Sequence, residues 1–182
     1  IMKVTKTQSY SVLHKSIHWL SALAIISLFG LGLWMEGLDY YSSWYQKAPA
    51  LHMGIGFCLV LVTLYRLFGR WRNGVPSPLT SHKPWEKWLA HAVHAFFYVA
   101  IFSMFMSGYF IATSKGQPLG VFGIIHIPAL ITESDAPWLK DFAHETHEIL
   151  AYTIIAIMCL HALGAIKHHI IDKDNTLRRM TR

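Results

Sequence analysis

Between His147 and His161 the chain reads EILAYTIIAIMCL, a run that carries no charge after Glu148 and is closed by a histidine at each side. With its flanks, from about 147 to 166, the run is long enough as a helix to cross a hydrocarbon core of roughly 30 Å. The two histidines stand fourteen positions apart. At about 1.5 Å and 100° per residue they lie about 21 Å apart along the axis and about 40° apart around it, so both imidazoles leave one face of one helix. A single helix thereby offers a ligand at two membrane depths, and the rest of the chain must supply partners at those depths.

Three further apolar runs are of spanning length: about 18–35 (HWLSALAIISLFGLGLWM), 51–68 (LHMGIGFCLVLVTLYRLF) and 89–111 (LAHAVHAFFYVAIFSMFMSGYFI). With 53% hydrophobic and 14% charged residues the chain is too apolar for an ordinary soluble domain, and 182 residues suffice for one small bundle. The expected fold is all-α, an integral membrane bundle of four transmembrane helices forming a single domain over 1–182. The first run is too long for a signal h-region and lacks a small-residue cleavage site, so it is expected to remain as a span. Cys58 and Cys159 fall inside apolar runs and read as buried small hydrophobes rather than a disulfide framework.

The stretches between runs are connectors. Residues 1–16 form a short basic leader expected to lie at the membrane face, and 36–50 carries the interfacial aromatics Tyr40, Tyr41, Trp44 and Tyr45. Residues 70–88 are rich in proline, glycine and basic side chains. Within 112–145 the piece VFGIIHIPAL is apolar but too short to cross, and reads as an interfacial or re-entrant segment.

Twelve basic residues gather on one side: Lys3, Lys6, Lys15, Arg70, Arg72, Lys83, Lys87, Lys167, Lys173, Arg178, Arg179 and Arg182. The other side has Lys47, Lys115 and Lys140. The positive-inside rule then puts both termini and the middle connector in the cytoplasm. That asymmetry accounts for the net charge of +6, so nucleic acid is not an expected partner.

Histidines can now be matched by depth. His18 opens the first run at its inner end and pairs with His161; His52 opens the second at its outer end and pairs with His147. Two nitrogens at each of two depths suit haem iron better than zinc, whose structural sites want four ligands. Fourteen residues after His18 stands Gly32, which leaves room for a porphyrin at the outer level; fourteen after His52 stands Arg66, placed to pair with a propionate at the inner level. Gly54 and Gly56 beside His52 allow a macrocycle to approach, or let helices approach one another. His91 and His94 are rival inner ligands at i, i+3 spacing; His94 is read as a propionate or quinone neighbour. His144 is a rival to His147, and the fourteen-residue stride decides for His147. His14, His82, His126, His168 and His169 fall in loops or at boundaries and read as solvated or headgroup-facing, while the stripe AFFYVAIFSMFM reads as lipid-facing or core. A histidine-lined metal transporter would use the same residues as transient ligands.

IHWLSAL, LHMGIG, LAHAVHAFFY, SGYFI, HETHEILAY, LHALGAIKHH and IDKDNTLRRM together resemble the bacterial cytochrome b561 family, and more broadly the cytochrome b subunits of membrane formate dehydrogenases and nickel hydrogenases. The resemblance covers nearly the whole chain. It implies two b haems ligated by four histidines on the first, second and fourth spans, mapping by motif onto His18, His52, His147 and His161. It also implies residence in the bacterial cytoplasmic (inner) membrane, and electron transfer between an outer-face donor and ubiquinone or another quinone. One branch of the family oxidises superoxide. Alternatively, such a chain serves as the haem-bearing anchor of a separate redox enzyme.

Overall fold

A computed structural model of the chain describes residues 4–5, 10–77, 79 and 81–181. Lys3, Lys6 and Arg182 of the basic count lie outside the described residues. Four long helices dominate: α1 (Val12–Glu36), α2 (Lys47–Asn73), α3 (Pro84–Thr113) and α4 (Leu139–Ile170), with a short α5 (Arg178–Thr181) at the end. Each of the four is long and apolar enough to cross a membrane. Lipid offers no partner for a free N–H or C=O, so a segment that crosses as a helix satisfies its backbone internally.

Every helix outruns the apolar run that predicts it, because its polar ends continue the backbone ladder into the interface. α1 begins six residues before His18, with the Ser11 hydroxyl accepting from the His14 N–H. The expected leader is correspondingly shorter, and its Val4–Thr5 strand, β1, pairs in parallel with β2 (Val75–Pro76). α3 starts on Pro84, and Glu86 accepts the Lys83 N–H at 2.8 Å, a first-turn arrangement suited to the orphan amides there. α4 begins at Leu139, eight residues before the predicted run.

The apolar piece within 112–145 packs against the outer part of the second apolar run. It forms an antiparallel hairpin, β3 (Leu119–Val121) with β4 (Ile125–Ile127), turned through Phe122 and Gly123 at φ values of 50° and 71°. Three residues per strand, closed by a left-handed turn, bury alternate side chains against helix ends: Leu119 and Val121 join Tyr109 in a core cluster with Met53 and Phe57 around it. The Tyr109 hydroxyl donates to the Pro128 carbonyl at 2.7 Å and accepts from the Leu130 N–H at 2.9 Å, tying the loop to α3. Further out, Asp135 accepts the Thr132 N–H and hydroxyl, which hold its carboxyl below the usual range. A second core cluster, Leu59, Val60 and Ile101 with Ala24, Ile25, Leu28 and Phe105, fills the middle of the bundle.

Helices associate unevenly. α3 lies closely along α4 and α1 along α2, whereas α1 and α4 meet only sparsely. α2 also packs against α3, so the room lies between α4 and the helices α1 and α2, and the opposed histidines stand across it. Cys58 and Cys159 are free and exposed on the apolar outer surface, not buried as the sequence suggests. Their helices turn those positions away from the core toward lipid.

The end of the bundle holding both chain termini is stitched together by polar contacts. The Trp19 indole donates to the Met180 carbonyl at 2.9 Å, and Arg179 donates to the Ser77 carbonyl at 2.9 Å. This is the basic end, which the positive-inside rule assigns to the cytoplasm.

Candidate haem sites

The two histidine pairs expected from the sequence meet in space. On the cytoplasmic side the His18 and His161 ring centres are 6.3 Å apart; on the outer side those of His52 and His147 are 6.2 Å apart. A metal held between two imidazoles at about 2 Å from each nitrogen, with about 1 Å more to each ring centre, calls for roughly 6.3 Å. Both pairs meet that requirement. Each joins α4 to a helix of the other half of the bundle, since no ligand candidate on α1 or α2 lies beside α4 without a gap.

The outer pair opens on a cavity of about 470 Å³ lined by Phe29, Gly32, Phe57 and Gly108 besides the two histidines. A Cβ on Gly32 would stand 3.6 Å from His52 Cε1, and one on Gly108 would stand 3.2 Å from His147 Cε1. Both glycines thus keep the walls of the slot clear of the imidazoles. Gly56 also lines the cavity and meets nothing within 4 Å of an added Cβ. Gly54 does not belong to this wall. A Cβ there would lie 2.4 Å from the Phe122 ring, so Gly54 receives the hairpin tip rather than a macrocycle.

His147 is held by a neighbour that carries no ligand. The Ser107 hydroxyl donates to the Met104 carbonyl at 3.0 Å and lies 3.0 Å from His147 Nδ1. The Met104 carbonyl also accepts a hydrogen bond from His147, so Nδ1 carries the proton and Nε2 is left unprotonated and able to bind a metal. His52 Nδ1 is buried without a hydrogen-bond partner among the described residues. A buried imidazole of that kind requires explanation, and a metal ligand supplies one. His144 also borders the cavity, but the ring facing His52 is that of His147.

At the cytoplasmic level Arg66 reaches His18, with its guanidinium 3.5 Å from Nδ1. Arg70, one turn further along α2, stacks on Tyr98 at 5.8 Å, and both Arg70 Nε and the Tyr98 hydroxyl are buried without a partner. Two guanidiniums on one face, with unspent donors, suit a pair of carboxylates such as haem propionates. The i, i+4 relation of Arg70 to Arg66 could have disclosed this in the sequence, where Arg70 served only the charge count. His94 lies edge-on to His161 with ring centres 5.4 Å apart, and its Nδ1 contacts the Ala90 carbonyl at 2.6 Å. That separation is too short for two rings on opposite sides of one metal, so His94 borders the site while His18 faces His161 across it. His91 likewise turns to its own helix, with Nδ1 2.6 Å from the Lys87 carbonyl.

Ser107, Gly108 and Arg70 are the residues that sequence reasoning passes over. The first two sit on α3, the helix without a ligand of the fourteen-residue stride, and only the association of α3 with α4 reveals them. His82 and His168 are not solvated as expected; they converge with Asp174 at the cytoplasmic end.

Residues 9–182 match the family described as prokaryotic cytochrome b561. Cytochrome b561 homolog 2 of Escherichia coli (strain K12) is 41% identical over 180 residues, covering 98% of this chain and 95% of that protein. A probable superoxide oxidase CybB of Yersinia pestis is 29% identical over 175 residues, 95% of this chain and 96% of its own. Cytochrome b561 homolog 1 of Escherichia coli (strain K12) is 26% identical over 181 residues. A bundle of four spanning helices with a family match over nearly its whole length has one reading: the chain belongs to the prokaryotic cytochrome b561 family of bacterial membrane electron carriers, which bear b-type haem.

Proposed function

We propose that this chain binds two b haems, one between His18 and His161 and one between His52 and His147, and carries electrons across the bacterial inner membrane between a donor at the outer face and the quinone pool. The observation that carries the reading is the equality of the two gaps, 6.3 and 6.2 Å, at two depths of one helix. Each haem would supply a one-electron iron couple, held by the imidazoles of His18 and His161 or of His52 and His147.

The protein's own residues have defined tasks. The four imidazoles leave no position for dioxygen, so reaction is confined to electron transfer at an exposed edge. Ser107 keeps His147 in its ligating tautomer, Gly32 and Gly108 hold the outer slot open, and Arg66 with Arg70 neutralises carboxylates at the inner level. His94, at the rim of the inner site, is placed to contact a quinone head group or a propionate.

The donor is proposed to be a small reductant, with superoxide the first to test because one relative is named a probable superoxide oxidase. Electrostatic steering of an anion is weak here. Lys140 is paired with Glu133 at 3.2 Å, and the outer loops also carry Asp39, Asp135 and Asp141. Anaerobic mixing of the oxidised holoprotein with superoxide, and separately with ubiquinol, is read at the haem bands. Reduction by superoxide followed by reoxidation with ubiquinone supports an enzyme in its own right. If neither small molecule changes the haem bands while a copurifying redox protein does, the chain is instead the electron-transfer subunit of a larger assembly.

A further inference from the structure

Three segments that are distant in sequence converge at the cytoplasmic end, away from both histidine pairs: the connector before α3, the last turn of α4, and the stretch that follows it. His82 Nε2 lies 3.2 Å from Asp174 Oδ2, and His168 Nδ1 lies 2.9 Å from the same oxygen. His168 Nδ1 is also 2.8 Å from Asp172 Oδ2. The two imidazole centres are 4.6 Å apart.

This geometry is awkward for a set of ordinary hydrogen bonds. Two anionic carboxylates crowd a single ring nitrogen of His168, whose one N–H can serve both only as a weaker, bifurcated bond. Nearby, Lys167 is shared between Glu86 at 2.8 Å and Asp172 at 2.6 Å. With the imidazoles neutral, three carboxylates face one ammonium, and the group carries two uncompensated negative charges. Protonating both histidines would balance them at the expense of setting two cations side by side. One divalent ion balances them without that repulsion.

We infer that His82, His168 and Asp174 form a site for a divalent transition-metal ion, of which zinc is the type, clasping the middle connector and the C-terminal segment to the end of α4. Two imidazoles and one carboxylate form a borderline donor set that a water would complete to the four ligands zinc prefers, whereas magnesium or calcium would favour all-oxygen ligation. Thr176, whose hydroxyl lies 2.8 Å from His82 Nε2, caps that nitrogen when no ion is held. Its N–H donates to the other oxygen of Asp174 at 2.8 Å and orients the carboxylate. The site is independent of the haem reading, since none of its residues belongs to either histidine pair.

The test uses the haem-loaded protein in detergent, stripped of loose metal with a chelator and titrated with zinc chloride by calorimetry. X-ray absorption then reads the zinc environment. Expected are one zinc per chain, a nitrogen and oxygen shell without sulfur, no competition by excess magnesium, and an unchanged haem spectrum. His82→Gln and Asp174→Asn should each weaken binding at least about tenfold. His82 lies on a connector, so its variant decides the matter should Asp174→Asn fail to fold. The inference is overturned if zinc does not bind below about 1 mM, a level typical of loose surface contacts, or if His82→Gln binds it as tightly as the unchanged protein.

Discussion

Removing the Ser107 hydroxyl takes away one of the two groups that hold the Nδ1–H of His147 and leaves the Met104 carbonyl alone to accept from it. An imidazole that donates through Nδ1 is a more electron-rich ligand and favours ferric iron, so Ser107→Ala should raise the potential of the outer haem by tens of millivolts, the size set by a lost hydrogen bond of about 1 kcal/mol. The inner haem should keep its potential in a spectroelectrochemical titration of both; a shift confined to the inner one would contradict the assignment. Gly32 offers a steric counterpart. An alanine there meets His52 at ordinary contact distance and should be tolerated, whereas Gly32→Phe fills the outer slot and should cost that haem alone, read as haem content per chain. Both predictions are confined to single side chains.

At the scale of elements, the hairpin and α2 fit one another through a glycine. Gly54→Ala drives a methyl to within 2.4 Å of the Phe122 ring, and the ring, half exposed on its turn, must swing out. A loss of about 1 to 3 kcal/mol is expected from overpacking, seen as a lower thermal midpoint. Phe122→Ala in the same chain should relieve most of it, and a double-mutant cycle that shows no coupling would remove the contact from the account. The hairpin was hidden in the sequence because VFGIIHIPAL is apolar throughout and has no alternation to mark a strand. Its character comes from helix ends that bury Leu119 and Val121, which is tertiary information. The four helices were legible because their apolar runs are long and self-sufficient in hydrogen bonds. Their ends were not, since KDFAHET at the start of α4 and VLHKS at the start of α1 are polar and extend a helix only where a membrane interface lets them. The ligand pairs were legible through the fourteen-residue stride. Ser107 and Arg70 were not, because their role depends on which helix lies beside which.

For the whole molecule, the decisive property is that α4 faces α1 and α2 across a gap and opposed histidines stand across it at two heights. The basic residues gather at the end where both termini are tied down by Trp19, Arg179 and the His82 cluster, which gives the bundle its orientation. If the bundle holds one haem at each height, the two sites must be separable by mutation. The most direct measurement is haem content per chain by alkaline pyridine difference spectra, made on the unchanged protein and on His52→Ala, His147→Ala, His18→Ala and His161→Ala. The account predicts two haems in the unchanged protein and one in each variant, with the His52 and His147 variants retaining the same low-spin signal as each other and the other two variants retaining the complementary one. Two haems in every variant, or a single haem in the unchanged protein, would contradict it.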